Sequence, residues 1–467
     1  MNTRNAAAPL TPTQAPEPAG APSPRVDGAP VPPTGGAPVP PTGGAPLAAT
    51  DGTRLWDSLM TLARIGATPK GGVRRLALSE LDGAGRDLVC QWLREAGCEL
   101  RVDAIGNLFA IRPGRLGNGF DADGKPWTDP ARLPVAIGSH IDTQPSGGKF
   151  DGNYGVLAGL EVVRALNDAG IATERPVAVA IWTNEEGTRF TPVMMGSGVW
   201  CGAFELEDCL AQRDRDGVSV ADALAAIGYA GTDLAPRFAA YLEPHIEQGP
   251  VLEQRRITIG AVEGALGQRW FDVIVTGQDA HAGPTPIGMR RDALLSAARL
   301  VIEVRRIAAT HPDYARGTVG QLHVSPNSRN VIPGRVEFSV DFRNARDETL
   351  DAMCRDLRAA VERVASEDGV EIELRELVHF PPCAFDATLV GAVEAAAREL
   401  GHPTCRIASG AGHDAVYVAR RCPTAMIFVP CEGGISHNEI ENADPGDLAA
   451  GCAVLMRVVL DTAGVAR

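Results

Sequence analysis

From about Leu55 onward the chain alternates between two hydrophobic periods. Runs near Leu55–Ile65, Leu78–Ala96 and Val156–Leu166 have the amphipathic or helical spacing that predicts helices with a buried face. Pro134–Gly138, Val177–Trp182, Phe238–Leu242 and Ala425–Val429 are short continuous apolar runs, the mark of strands buried on both sides. Such strands separated by helices predict an α/β fold, a mostly parallel sheet with helices on both faces. Residues 267–377 follow another order. Trp270–Val275 reads as a strand, Arg291–Ala308 as a helix, Thr318–Val324 and Val336–Phe342 as strands, Leu350–Ala365 as a helix and Val370–Leu374 as a last strand. That β-α-β-β-α-β order predicts an inserted ferredoxin-like α+β domain, splitting the larger domain into residues 49–266 and 378–467.

Residues 1–48 break both patterns. They hold 13 of the 35 prolines, and the octapeptide Gly-Ala-Pro-Val-Pro-Pro-Thr-Gly occurs twice in tandem from Gly28 to Gly43. With few bulky side chains to offset ordering entropy, this segment is expected to be a disordered extension. Its four charges cancel, so the net charge of −14 belongs to the remainder. An acidic surface argues against nucleic-acid or membrane-surface binding, and no apolar stretch reaches the length of a membrane span. The chain starts without a basic and apolar leader, and none of its ten cysteines forms a C-x-x-C pair. Reduced thiols in the cytoplasm are therefore expected.

The candidate chemistry gathers at strand ends. Gly138–Asp142 closes the first apolar strand, Asn184–Gly187 the second, Glu243–Gly249 the third, and Ser436–Glu439 follows the fourth, while Phe150-Asp151-Gly152 precedes a helix. In open α/β sheets ligands bind at the carboxyl ends of the strands, so these segments are expected to converge. Imidazole and carboxylate together suit zinc or manganese, and one aspartate can bridge two ions about 3.5–4 Å apart. The adjacent Glu185 and Glu186 allow one carboxylate to ligate while its neighbour moves a proton.

Gly-Ser-His-Ile-Asp-Thr, Phe-Asp-Gly, Asn-Glu-Glu-Gly, Glu-Pro-His-Ile-Glu-Gln-Gly and Ser-His-Asn-Glu, in this order, resemble the dinuclear-metal amidohydrolases that cleave N-carbamoyl amino acids. That group includes N-carbamoyl-L-amino-acid hydrolase, β-ureidopropionase and allantoate amidohydrolase, and it is similar in fold to the co-catalytic zinc exopeptidases. The resemblance implies two divalent ions, one on His140, Asp151 and His437 and the other on Asp151, Glu186 and His245, with Glu185 as general base and acid. It implies that His281, in Asp279–Pro286, reaches the partner subunit's site in a homodimer formed through the inserted lid domain and stabilises an oxyanion there. Asn330, Arg343 and Gln248 match positions that hold the substrate, the first two its carboxylate, and a guanidinium suits that task by its planar fork. Read alone, Arg343 also fits an ordinary surface-pair arginine, as the lesser alternative.

Gly412 and His413 belong to a Gly-rich turn that the family places near the substrate, and a purely structural turn remains open. His311, His323, His379 and His402 fall outside every motif and are expected at the surface or in packing. The resemblance implies hydrolysis of an N-carbamoyl (ureido) acid, N-carbamoyl-β-alanine or an N-carbamoyl-L-amino acid, to amino acid, ammonia and carbon dioxide, with allantoate as the alternative substrate. Peptide cleavage is a further alternative, disfavoured by His at 245, where the exopeptidases usually carry a carboxylate. A catalytically silent binding protein on the same fold would be expected to have lost ligands, and none is missing.

Overall fold

The structure, a computed structural model, describes residues 49–311 and 314–466. The Pro-rich extension expected over residues 1–48 lies outside them. Sixteen strands occur among the described residues. The first six are β1 (Glu99–Val102), β2 (Leu108–Arg112), β3 (Val135–His140), β4 (Val177–Trp182), β5 (Ala240–Ile246) and β6 (Ile259–Ala265). Next come β7 (Gly267–Thr276), β8 (Ala280–His281), β9 (Arg316–Thr318), β10 (Leu322–Ser325), β11 (Val331–Ile332), β12 (Arg335–Asn344) and β13 (Glu371–Phe380). The last are β14 (Cys383–Ala384), β15 (Thr404–Ser409) and β16 (Thr424–Val429).

The larger sheet runs β1-β2-β4-β3-β5-β16-β6-β14, with β15 beside β6. Its centre, β4-β3-β5-β16, is parallel, and antiparallel pairs flank it. Every residue of β3, β4, β5 and β16 is buried, so both faces of the centre are covered. This explains why these strands read as unbroken apolar runs rather than alternating ones. The helices Asn153–Asp168, Ala387–Glu399 and Pro445–Ala463 pack on them. Four parallel strands present their carboxyl ends along one edge, and His140 is the last residue of β3.

β5 is longer than the apolar run Phe238–Leu242 predicted. It continues through Glu243, Pro244 and His245 because parallel pairing with β16 extends to Val429, opposite Ile246. These residues are therefore inside the strand rather than in a loop after it. Pro244 removes one N–H donor from this central strand, yet the pairing continues past it, with Ile427 opposite Pro244 and Phe428 opposite His245.

A second core, from Phe271 to Val370, lies between the antiparallel sheet β10-β12-β7-β13 and the helices Ala293–Thr310 and Asp347–Asp368. The strand expected over Thr318–Val324 is two strands, β9 and β10, because Gly320 and Gln321 leave the ladder. There the Gln321 amide donates to Ser339 Oγ and the Ser339 amide to the Gln321 carbonyl. All ten cysteines are free, eight of them buried. Among the described residues no helix is long and apolar enough to cross a membrane.

Candidate metal and active site

A cavity of about 320 Å³ opens at the carboxyl edge of the parallel strands, lined by His140, Asp151, Glu185, Glu186, Gln248, Arg343, Gly412, His413 and His437 among others. β3 delivers His140, the turn after β4 delivers the two glutamates, and the loop before the helix Asn153–Asp168 delivers Asp151. Arg343 arrives from β12 of the other sheet.

Asp151 is the centre of the geometry. Its Oδ1 lies 3.2 Å from His245 Nε2 and 3.7 Å from His140 Nε2. Its Oδ2 lies 3.3 Å from His437 Nε2, which is also 3.4 Å from Glu186 Oε2. The ligand-capable atoms thus form two groups sharing Asp151: His140–Asp151–His245, and Asp151–Glu186–His437. This differs from the pairing implied by the resemblance, which put His437 with His140 and Glu186 with His245. The reason is the direction of the loop after β16. His437 enters on the Glu186 side, whereas His245, inside β5, stands next to His140 on β3.

The donor set fits divalent cations. His140 Nδ1 and His245 Nδ1 sit 2.9 and 2.8 Å from the carbonyls of Asp142 and Ile246, which fixes the ring proton on Nδ1 and turns each Nε2 lone pair inward. The Gly152 amide lies 3.1 Å from the same His245 Nε2. Gly152 also has φ +67°, and a Cβ there would lie 2.4 Å from the His140 ring, so the close approach of helix and ligand requires glycine.

The electrostatics point the same way. Burial, then the charge of Asp151, pushes Glu186 up to about 8. Burial and the neighbouring Asp414 and Glu186 raise Glu185 well above the usual carboxylate range. Burial also lifts Asp142 and Glu441 to about 7. Burial acts on Asp151 in the same sense, but the imidazoles of His245 and His437 outweigh it and hold that carboxyl well below the ordinary value. In return, His245 and His437 rise to about 9, His245 against the opposing effect of its own burial, while burial lowers His140 to about 4. A buried site with this surplus of carboxylates is short of positive charge, which divalent cations supply.

Several residues that build the site were not singled out by sequence. Asp142 accepts the amides of both Glu185 and Glu186, at 3.3 Å each. Glu441 accepts the amides of Phe150 and Asp151, and Ser436 Oγ bridges Asp151 and Glu441. Glu243, behind His245, is filled by Ser139 Oγ, Tyr241 Oη and the Ala415 amide. These protein donors occupy both its oxygens, so the further group Glu243–His245–His413 supports His245 rather than holding an ion. Each of these acids lies within four residues of a motif histidine or beside one, and that proximity was their available signal.

His413 packs edge-on against His245, ring centroids 4.6 Å apart, with Nε2 2.8 Å from Ser409 Oγ. Gln248 donates from Nε2 to Asp151 Oδ2 at 2.8 Å, and its Oε1 is buried without a hydrogen-bond partner. Arg343 is held by Asp341 and the Gly410 carbonyl. His281 and Asn330 do not line this cavity. They are exposed and lie close in the β8–β11 pair, where His281 is opposite Val331 and the Ala282 amide donates to the Asn330 carbonyl.

The sequence profile of peptidase family M20/M25/M40 matches residues 136–461. An N-carbamoyl-L-amino-acid amidohydrolase of Rhizobium meliloti is 46% identical over 414 residues, 88% of this chain and 96% of that one. An allantoate amidohydrolase of Bacillus subtilis (strain 168) is 34% identical, covering 85% of this chain and 95% of its own length. The crystal structure of an amidase of the hydantoinase/carbamoylase family from Burkholderia multivorans superposes with a TM-score of 0.84 at 53% identity, over 89% of this chain and 98% of that one. Agreement of this extent, in fold as well as in sequence, makes the chain a member of peptidase family M20/M25/M40, whose members are metal-dependent hydrolases.

Proposed function

We propose that the protein hydrolyses the C–N bond of an N-carbamoyl amino acid, using two divalent ions, zinc or manganese, on His140–Asp151–His245 and on Asp151–Glu186–His437. The observation that carries this reading is Asp151, a single buried carboxylate whose two oxygens face two separate ligand groups. Ions at these positions supply a polarised ureido carbonyl and a water acidified to a pKa of about 7.

Glu185, buried with Oε2 3.5 Å from His140 Nε2, takes the proton of the attacking water and returns it to the leaving nitrogen. Arg343, fixed at the cavity wall by Asp341 and the Gly410 carbonyl, offers its remaining N–H groups to the substrate carboxylate. The free Oε1 of Gln248 accepts an N–H of the carbamoyl group. The products are an amino acid, ammonia and carbon dioxide.

His281 and Asn330, exposed and outside their own chain's cavity, support a homodimer in which residues 267–377 form a lid and dimerisation domain on a catalytic domain of residues 49–266 and 378–467. Each chain then lends this pair to its partner, His281 to the developing oxyanion and Asn330 to the carboxylate, as the lid closes on substrate. Ten free cysteines fit a reducing cytoplasm.

A second reading, hydrolysis of allantoate, is favoured by the Bacillus subtilis relative. Ammonia release from an N-carbamoyl-L-amino acid, N-carbamoyl-β-alanine and allantoate, measured side by side with manganese or zinc, separates the two. Turnover of the N-carbamoyl acids is expected. Turnover of allantoate alone, or preference for unblocked dipeptides, would overturn the assignment.

A further inference from the structure

Outside the ligand cluster, the polar side chains of the cavity are engaged, save Gln248 Oε1. Gln144 is bound to Glu186 and Thr188, Gln248 to Asp151 and Ser436, His413 to Ser409, and Arg343 to Asp341 and Gly410. The rest of the lining, Val193, Met194, Ala411 and Gly412, is apolar. Met194 is the largest of these. Its amide donates to the Glu185 carbonyl at 2.7 Å and its φ is +52°, so the backbone fixes it against the catalytic turn. Its thioether reaches across to Gly412, where a Cβ would lie 3.1 Å from the Met194 methyl. Cys201 and Tyr417 back it from behind.

We propose that Met194 reads the substrate's α-substituent, and that the preferred substrate is an N-carbamoyl α-amino acid with a long, flexible apolar side chain, such as that of methionine or leucine. The proposal rests on the N-carbamoyl hydrolase reading above. With the ureido group at the ligand cluster and the carboxylate on Arg343, the third substituent of the α-carbon is left facing the apolar wall. N-carbamoyl-β-alanine places nothing on that wall. Allantoate, with a second ureido group on the same carbon, would bring several donors and an acceptor against Val193, Met194, Ala411 and Gly412, and unmatched polar groups are rejected more strongly than a missing methylene. A thioether wall adapts to side chains of differing shape, which makes the preference one of length and polarity.

The test compares kcat/KM for N-carbamoyl-L-methionine, N-carbamoylglycine, N-carbamoyl-β-alanine and allantoate in the manganese-loaded protein. The wild type is expected to favour the methionine derivative over the glycine one by tenfold or more, within the 10–200-fold that apolar contacts of this size supply. Met194→Asn shortens and polarises the wall while suiting the left-handed backbone, and should reduce that ratio about tenfold with metal content unchanged. Met194→Leu, similar in volume, should restore most of it. Gly412→Ala, which narrows the same gap, should lower kcat/KM for the methionine derivative more than for the glycine one. Ratios within twofold of wild type in both Met194→Asn and Gly412→Ala would overturn the role of Met194, as would a wild type that prefers N-carbamoyl-β-alanine or allantoate. A protein that hydrolyses no N-carbamoyl acid at all would overturn the underlying assignment instead.

Discussion

Gln144 holds both carboxylate oxygens of Glu186. Its backbone amide donates to Oε1 at 3.1 Å and its side-chain amide to Oε2 at 2.6 Å, while Thr188 Oγ1 donates to the Gln144 Oε1 and so fixes which way the amide faces. These bonds favour the anionic form against the burial that raises Glu186, and they aim the carboxylate at His437. Partners of this kind typically set ligand orientation and are worth about 10–100-fold in metal affinity. Gln144→Leu should weaken metal binding by about that factor, read by competition with a chromogenic chelator, with the fold intact by circular dichroism. Unchanged affinity would show that Glu186 does not depend on this clamp.

Glu185 is the carboxylate left free of the two ligand groups. Glu185→Gln removes the proton acceptor but keeps the shape, so kcat should fall by at least 10²–10⁴-fold while metal analysis still finds the wild-type content. Surviving activity would move the base elsewhere in the cavity.

Gly152 caps the helix Asn153–Asp168 where the loop carrying Asp151 meets His140. A methyl group there would fall 2.4 Å from the ring on a backbone of φ +67°. Gly152→Ala should therefore destabilise the protein by about 1–3 kcal/mol, lowering the melting temperature and the metal content together. A normal melting temperature would mean the loop relaxes without cost.

Metal removal should be felt more strongly as pH rises. Without cations the folded protein keeps a proton on Glu186 up to about pH 8, whereas the unfolded chain loses it above about 4.3. The folded state then binds more protons, and its stability falls through that window by at most about 1.4 kcal/mol per pH unit for each such group. His245 and His437, raised to about 9, act in the same direction above pH 6.5. His140, lowered to about 4, acts oppositely but only below pH 6.5. The drop in melting temperature on chelation should accordingly be larger at pH 8.5 than at pH 7, as measured by scanning calorimetry. A drop that shrinks with pH would contradict the charge balance described for the site.

The parallel core was legible because strands buried on both faces carry unbroken apolar runs, and the candidate ligands were legible because they end those strands. Their division into two groups was not, since it depends on the side from which the His437 loop enters. Nor was the inclusion of His245 within β5, where pairing with β16 carries the strand past Pro244. Gln144, Asp142 and Glu441 escaped notice for a related reason. Their importance comes from what they grip in space, and a polar residue two or four positions beyond a motif histidine has no periodicity to mark it. His281 and Asn330 stood out as loop residues, yet only the fold shows them brought together by the β8–β11 pair and outside their own cavity.

The most direct test of the account is a metal titration of chelated protein, following ammonia release from N-carbamoyl-L-methionine against equivalents of manganese or zinc per chain. No turnover is expected without metal, and activity should climb until two ions are bound per chain, the second of them lost in His437→Ala. Saturation at a single ion, or turnover in the metal-free protein, would contradict a site bridged by Asp151.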